Sequence, residues 1–277
     1  MPRVPMQLEC AGEPSVDLRD RVAACVPGEP LPLVHVTAMG IGRNIIFSGQ
    51  LLAKKCKVFN RPLLYFFLGR PAYRIKDERE GSRQISRYPC VFVVDPSRVD
   101  PVHVYPFDTG AAKQGFYSNA DPHLGIKDYA LEGTMDSALK QLAFAFENVE
   151  DYFEGRIRPN LSSGVPPFDQ STLSYAAIAN QANRGVNNPE DYDDRASAIE
   201  IATDQHLDLK DAVQLAIMPK QFLEGNDGSQ NVKLIERLTA LGIECDLYDW
   251  QSTRSPADYR PEINAKVLAH VKRSFER

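Results

Sequence analysis

A small set of polar side chains interrupts otherwise apolar stretches of this sequence, and their types suggest ligand chemistry. His35 and Thr37 are two residues apart in one predicted strand, so their side chains share a strand face and could bond a ribose or a carboxamide. Tyr65 could stack on a flat ring. The Arg70 guanidinium follows a glycine and precedes a proline, and it suits a phosphate or a pyrophosphate.

Each of these side chains also has an ordinary structural interpretation. A single strand histidine such as His35 is often a hydrogen-bonded residue of the core or the surface. Tyr65 could simply pack in the core, and Arg70 could form a surface salt bridge. The residue types alone leave both interpretations open.

Glu200 is the acidic candidate, and it lies in a predicted strand that is otherwise apolar. Glutamate is depleted in strands and costly to bury without a partner. One interpretation is an edge strand on which Glu200 faces solvent while Ile199 and Ile201 point inward. The aspartate-rich run at 186–194 favours the other interpretation, in which Glu200 lies at the mouth of a cleft.

Hydrophobic periodicity predicts the elements that position these side chains. Strands are predicted at 33–37, 63–68, 88–95, 102–107, 198–203 and 212–218, the last two joined by a hairpin-like link. Helices are predicted at 16–26, at 39–48 with Gly49 as its end, at 134–153, at 172–183 and at 219–223. The tail is predicted to form a helix at 230–241, a strand at 243–250 and a helix at 262–275, and 108–124 is predicted to be a loop.

These elements predict an α+β fold with helices flanking the sheet. The 277 residues are enough for one large domain or two small ones. We expect an irregular N-terminal arm over 1–30 and a principal domain over 31–225. A helix-strand-helix extension over 226–277 would pack on that same domain.

The distribution of charged residues, cysteines and histidines limits the kinds of ligand and cellular compartment that we expect for this protein. Eleven Lys and Arg residues face three acidic ones between residues 43 and 87, whereas residues 131–277 hold fifteen basic and twenty-four acidic ones. The basic segment suggests a phosphate-bearing ligand or nucleic acid, or a solvated loop. The five scattered cysteines favour a reducing cytoplasm over disulfides, and neither cysteine nor histidine spacing supports a metal site. We expect no secretory signal and no membrane span.

Four short pieces of this sequence occur in the order found in a known superfamily. The pieces are His35-x-Thr37, the turn with Ile45-Ile46 and Gly49, Leu64-Tyr65-Phe66-Phe67 leading to Arg70-Pro71-Ala72-Tyr73, and Arg195-Ala196-Ser197-Ala198-Ile199-Glu200-Ile201. Their order over about residues 31–218 resembles the ADP-ribosyltransferases, and within them most the DarT-type toxins, which modify DNA.

The resemblance implies a split, twisted sheet that binds NAD as substrate in a cleft, without a metal. It implies that Glu200 pairs with the nicotinamide ribose and orients the acceptor, with Arg70 as the second catalytic residue. A carboxylate there would stabilise the oxocarbenium-like charge of glycosidic bond cleavage and could take the proton of the attacking group. The implied NAD-binding residues are His35 and Thr37 at the adenosine ribose or the nicotinamide side, Tyr65 near nicotinamide, Arg70 at the pyrophosphate, and Tyr73.

The resemblance also implies an acceptor-reading loop at 184–194, with the candidate residues Asn187, Asn188, Tyr192 and Asp194. The acceptor would be nucleic acid or protein. A toxin or phage-defence effector of this kind could have an antitoxin partner.

Three other functions stay open at this point. An NAD glycohydrolase or an RNA 2′-phosphotransferase would use much of the same site, although the acidic late region disfavours an RNA phosphate. A non-catalytic binding module for nucleic acid or protein would keep the fold and leave Glu200 facing solvent.

Overall fold

Strands and helices are interspersed along the described part of the chain. The computed structural model describes residues 3–10, 12–73, 81–182, 193–225 and 227–275. The strands are β1 Leu33–Ala38, β2 Gln50–Leu51, β3 Lys54–Lys55, β4 Pro62–Leu68, β5 Pro89–Val94, β6 His103–Tyr105, β7 Glu200–Thr203, β8 Leu207–Asp208, β9 Val213–Pro219 and β10 Glu244–Tyr248. The helices are α1 Asp17–Ala23, α2 Met39–Ser48, α3 Thr109–Lys113, α4 Met135–Ala145, α5 Val149–Glu154, α6 Gln170–Ala179, α7 Leu209–Ala212, α8 Val232–Leu241 and α9 Arg260–Phe275.

The chain forms two compact units, each assembled from separate segments. The first unit consists of Met1–Pro30, Lys54–Leu68 and Asp100–Asp204. Its strands pair in the order β3-β4-β7-β6, and every pairing is antiparallel. Helix α1 packs against α4 and α6. Strand β7 is an inner strand of this sheet, with β4 along one edge and β6 along the other.

The N-terminal residues of the first unit are held by backbone hydrogen bonds to a later part of the same unit. The Met6 amide donates to the Ala112 carbonyl at 3.1 Å, and the Ile126 amide donates to the Gln7 carbonyl at 2.8 Å. The segment thus lies against helix α3 and against the short 3-10 helix Ile126–Tyr129.

The second unit consists of Leu31–Ala53, Gly69–Val99 and Gln205–Arg277. Its strands pair in the order β10-β9-β5-β1, with β10 and β9 parallel and the others antiparallel. Strands β2 and β8 form a separate short antiparallel pair. Helix α2 packs against α8, and α9 packs against β10. Apolar side chains of β5 and β9 form much of the core of this unit.

The predicted α+β fold is confirmed, with flanking helices and a C-terminal helix, strand and helix. Helix α2 has the predicted bounds and ends where Gly49 adopts a left-handed conformation, at φ 77°. Glycine enters that region without the penalty that a Cβ atom brings.

Three predictions of local structure are wrong. The helix predicted over 134–153 is two helices, because Phe146 is extended and the Asn148 side chain caps α5 by accepting from the Asp151 amide. The strands predicted over 198–203 and 212–218 are not hairpin partners, since β7 pairs with β4 and β6 whereas β9 pairs with β5 and β10. The loop predicted over 108–124 contains helix α3, which Asp108 caps.

The helices in the described ranges are too short or too polar to cross a bilayer.

Candidate active site

Glu200 begins the central strand of the first unit. Phe67 of β4 lies opposite Glu200 on one side, and Tyr105 of β6 lies opposite it on the other. The Glu200 residue is only 5% exposed. The edge-strand interpretation, in which this carboxylate faces water, is therefore wrong, because strands on both sides cover β7.

Aromatic side chains share the sheet face of Glu200. Directly opposed residues point to the same face, and so do residues two positions along a strand. The row of Phe67, Glu200 and Tyr105 is accordingly followed on the same face by Tyr65 and His103, which both lie opposite Ala202. The carboxylate therefore lies beside two tyrosines.

The hairpin between β3 and β4 covers part of this face. Phe59 stacks on His103 with ring centroids 4.5 Å apart, and its ring lies 5.6 Å from that of Tyr105. The Tyr65 hydroxyl donates to the Cys56 sulfur at 2.7 Å. These contacts hold the rings of Tyr65, His103 and Tyr105 in place next to Glu200.

Thr109 at the start of α3 binds both oxygens of the Glu200 carboxylate. Its hydroxyl donates to Oε1 at 2.6 Å, and its backbone amide donates to Oε2 at 3.2 Å. Thr109 is fully buried. The preceding residue, Asp108, caps α3 by accepting from the Ala111 amide at 2.9 Å. The start of α3 thus holds the carboxylate in one orientation.

A buried ion cluster supports the same region. Nε and Nη2 of Arg195 donate to the two oxygens of Asp193 at 2.9 and 2.7 Å, and Nη1 lies 3.4 Å from an oxygen of Asp108. The Arg195 guanidinium also lies 4.8 Å from the ring centroid of Phe116. Arg195 therefore pairs with Asp193, which lies in the same turn before β7, and lies close to Asp108 at the start of α3. In the described ranges, acidic, cysteine and histidine side chains form no group of three that could hold a metal ion.

The protonation of Glu200 depends on this environment. Burial raises the pKa of Glu200 well above its ordinary value, and the nearby charge of Asp108 raises it further. The two hydrogen bonds from Thr109 act in the opposite direction. Burial, and to a smaller extent the nearby charge of Glu200, raises the pKa values of Tyr65 and Tyr105, so both hydroxyls stay protonated.

Two predicted site residues, His35 and Thr37, lie on β1 in the second unit. His35 lies opposite Phe92 of β5 and stacks on that ring, with centroids 6.5 Å apart. Thr37 lies opposite Cys90. The side chains of His35 and Thr37 share one face of β1, as predicted, because the two residues are two positions apart on the strand. Both residues are partly exposed.

Arg70 and Tyr73 lie in the turn after β4 and belong to the second unit. Arg70 is 1% exposed, so the interpretation as a surface salt bridge is wrong. Tyr73 is also buried, and its hydroxyl donates to the Pro256 carbonyl at 2.9 Å. The Arg260 guanidinium lies 5.3 Å from the centroid of the Tyr73 ring.

The predicted acceptor residues are described only in part. Asp194 is buried next to Arg195 in the first unit. Asn187, Asn188 and Tyr192 lie outside the described residues.

The comparisons with known proteins find similar solved structures, but both the sequence identities and the TM-scores are low. No protein-family model matches the chain, and no curated protein matches its sequence. Thermus sp. 2.9 DarT in complex with carba-NAD+ is a similar solved structure, with 11% identity, a TM-score of 0.39, and coverage of 80% of this chain and 97% of that one. The same protein in complex with ADP-ribosylated ssDNA gives 12% identity, a TM-score of 0.38, and coverage of 80% and 96%. These values are too low to assign a function.

The sequence singles out Glu200 as a candidate but does not indicate Thr109, which binds its carboxylate. Thr109 lies in the stretch predicted to be a loop, and Arg195 belongs to the motif before Glu200 without a predicted role of its own. One signal for α3 was available, because Asp108 is a favourable N-cap residue and two alanines follow closely. No sequence signal indicates that Thr109 would reach Glu200, since the two are far apart in the chain.

Glu200 is expected to destabilise the folded protein near neutral pH. A folded-state pKa above the unfolded one means that the native state binds the proton more tightly, so stability falls as pH rises through that interval. Glu200→Gln should therefore raise the urea midpoint at about pH 7 and leave it near that of the wild type below about pH 4. Glu132→Gln, at an exposed glutamate of the same unit, is the control and should change neither value. A lower midpoint for Glu200→Gln at neutral pH would contradict the expectation.

Proposed function

We propose that this chain is an NAD-dependent ADP-ribosyltransferase with Glu200 as its catalytic carboxylate. One observation carries the proposal. A buried carboxylate lies between two tyrosine-bearing strands, and both of its oxygens are bound by Thr109. Folding gains little from such a group, because burying a glutamate costs free energy that hydrogen bonds only offset. A carboxylate held this way is suited to chemistry on a ligand that reaches the same face.

The proposed reaction transfers the ADP-ribosyl group of NAD to an acceptor. The bond between the ribose and nicotinamide breaks, and nicotinamide leaves with the bonding electron pair. The ribose carbon becomes positively charged, and the carboxylate of Glu200 stabilises that charge. An oxygen or nitrogen of the acceptor then bonds to this carbon and gives up its proton. The raised pKa of Glu200 makes its carboxylate a better base for that proton than an exposed glutamate would be.

The residues proposed to contact NAD follow from the sequence resemblance. They are His35, Thr37, Tyr65, Arg70 and Tyr73, with Arg70 also assisting catalysis. Tyr65 has the strongest geometric support, since it shares the face of Glu200 and is partly exposed. Its ring could stack on a flat group.

We propose nucleic acid as the acceptor, with protein as the alternative. The hairpin of β3 and β4 lies in the same unit as Glu200 and has a basic surface. Its segment 54–61 holds no acidic residue, and its exposed basic side chains are Lys54, Lys55, Lys57 and Arg61. Such a surface attracts phosphate groups. A cytoplasmic toxin or phage-defence effector, with or without an antitoxin, is the biological role that fits this chemistry.

Two other functions predict different behaviour. An NAD glycohydrolase would use the same carboxylate with water as acceptor. The binding-module alternative required Glu200 to face solvent, and the burial of Glu200 counts against it.

The test is nicotinamide release from NAD by the purified chain, alone and with single-stranded DNA, RNA or folded protein. Release that requires single-stranded DNA or RNA, together with ADP-ribose found on that nucleic acid by mass spectrometry, is the expected result. Release that is equal without any acceptor would indicate a glycohydrolase. Failure to release nicotinamide under every condition, with the chain folded, would overturn the proposal.

A further inference from the structure

We propose that Thr109 is a positioning residue that holds the Glu200 carboxylate for the reaction by bonding both of its oxygens. This role rests on the proposed function of Glu200. Thr109 supplies every hydrogen bond that the Glu200 side chain accepts in the described part of the chain. Terminal rotation of a glutamate carboxylate is otherwise broad, so two donors from one residue define its plane.

The surrounding contacts fix Thr109 from two sides. The Asp108 amide donates to the Arg195 carbonyl at 3.2 Å, and the Tyr117 hydroxyl donates to the Asp108 carbonyl at 3.1 Å. Thr109 is therefore tied to the residues directly before β7, the strand that carries Glu200. Thr109 and Glu200 are therefore both attached to the segment around Arg195. Thr109 is attached through the hydrogen bond of Asp108, and Glu200 is attached through the chain itself.

The other groups around Glu200 do not replace Thr109. The titratable groups near Glu200 are Asp108 before α3, Tyr117 after α3, Tyr65 of β4, Tyr105 of β6 and Cys56 of the β3–β4 hairpin. Arg195, in the turn before β7, pairs with Asp193 and Asp108. Burial, the charge of Asp108 and the neighbouring Cys56 disfavour the ionised form of Glu200, whereas the two hydrogen bonds from Thr109 favour it. Loss of the Thr109 hydroxyl should therefore leave the carboxylate harder to ionise as well as less fixed.

Thr109→Val and Thr109→Ser provide the test, because valine keeps the shape of threonine without its hydroxyl and serine keeps the hydroxyl. We expect Thr109→Val to lower kcat for nicotinamide release by about 10- to 100-fold, the factor that one hydrogen bond to a charged group supports. The KM for NAD should change little. The acidic limb of the pH profile should move to higher pH in the valine variant, and Thr109→Ser should restore both values toward the wild type.

Thr172→Val is the matched control. Thr172 is equally buried in the same unit, and its hydroxyl has no hydrogen-bond partner in the described ranges. Its replacement should leave kcat and the pH profile unchanged. If Thr109→Val does not fold, Thr109→Ala is measured in its place, with Thr172→Ala as control.

A second measurement separates this inference from the proposed function. Carbon-13 labelling of glutamate side chains allows the Glu200 carboxyl to be titrated by NMR, with Glu200→Gln identifying its signal. The carboxyl should titrate at higher pH in Thr109→Val than in the wild type or in Thr109→Ser. An unchanged titration, or equal losses of kcat in the serine and valine variants, would overturn the inference. Wild-type protein that releases no nicotinamide would overturn the proposed function, and the titration would still decide the role of Thr109.

Discussion

Glu200→Gln should lower acceptor-dependent nicotinamide release by at least about 100-fold, as expected when a group that stabilises transition-state charge is removed. Glutamine keeps the size of the side chain and can still accept from the Thr109 amide. It carries no negative charge and cannot take a proton from the acceptor. The loss should therefore appear in kcat, with a smaller change in the KM for NAD.

Two controls make this result specific. Glu132→Gln alters an exposed glutamate of the same unit and should retain wild-type release. The Glu200→Gln protein should show a native circular dichroism spectrum and cooperative unfolding. A folded Glu200→Gln variant with undiminished release would remove Glu200 from the mechanism.

Arg195→Met should lower the free energy of unfolding by about 3–5 kcal/mol, the effect of removing one partner from a buried ion pair. Methionine approximates the length of arginine, but it leaves the carboxylates of Asp193 and Asp108 without their cation. Arg195→Lys should recover only part of the loss, because an ammonium group cannot donate to both Asp193 oxygens in the planar geometry of the guanidinium. Urea unfolding near neutral pH measures each value.

Arg61→Met is the matched control for the ion cluster. Arg61 pairs with Asp204 at 2.6 Å in the same unit, and both side chains are more than 40% exposed. Exposed pairs contribute roughly 0–1 kcal/mol, so this variant should stay close to the wild type. Equal stability of Arg195→Met and Arg61→Met would mean that the buried cluster does not stabilise the fold.

Local signals were sufficient for the elements whose limits are set by neighbouring residues. Helix α2 ends at Gly49 because that glycine takes a left-handed conformation, and the apolar run of β4 is evident from the order of its residues. The break between α4 and α5 was missed, because the apolar residues keep helical spacing through it while Asn148 starts a new helix. Spacing reports which face is buried, and it does not report where a backbone hydrogen bond is interrupted.

The candidate site depended on contacts between distant residues, which one sequence does not specify. Glu200 could be selected as an unusual residue, but its burial depends on β4 and β6 lying on either side of β7. Thr109 became recognisable only once α3 had been placed against that strand. Glu200 was thus visible in the sequence as an unusual residue, whereas Thr109, which binds its carboxylate, was not.

The pairing of β4 with β7 has a consequence for how the protein folds. Phe67 pairs directly with Glu200, so most of the first unit lies between these two residues in the chain. Closing so long a loop costs entropy before the pairing contributes, and folds rich in such contacts form slowly. On the ribosome, the contact between Thr109 and Glu200 can form only after Glu200 has been synthesised. Partial chains that end before Glu200 lack strand β7, so Thr109 has no carboxylate to bind in them.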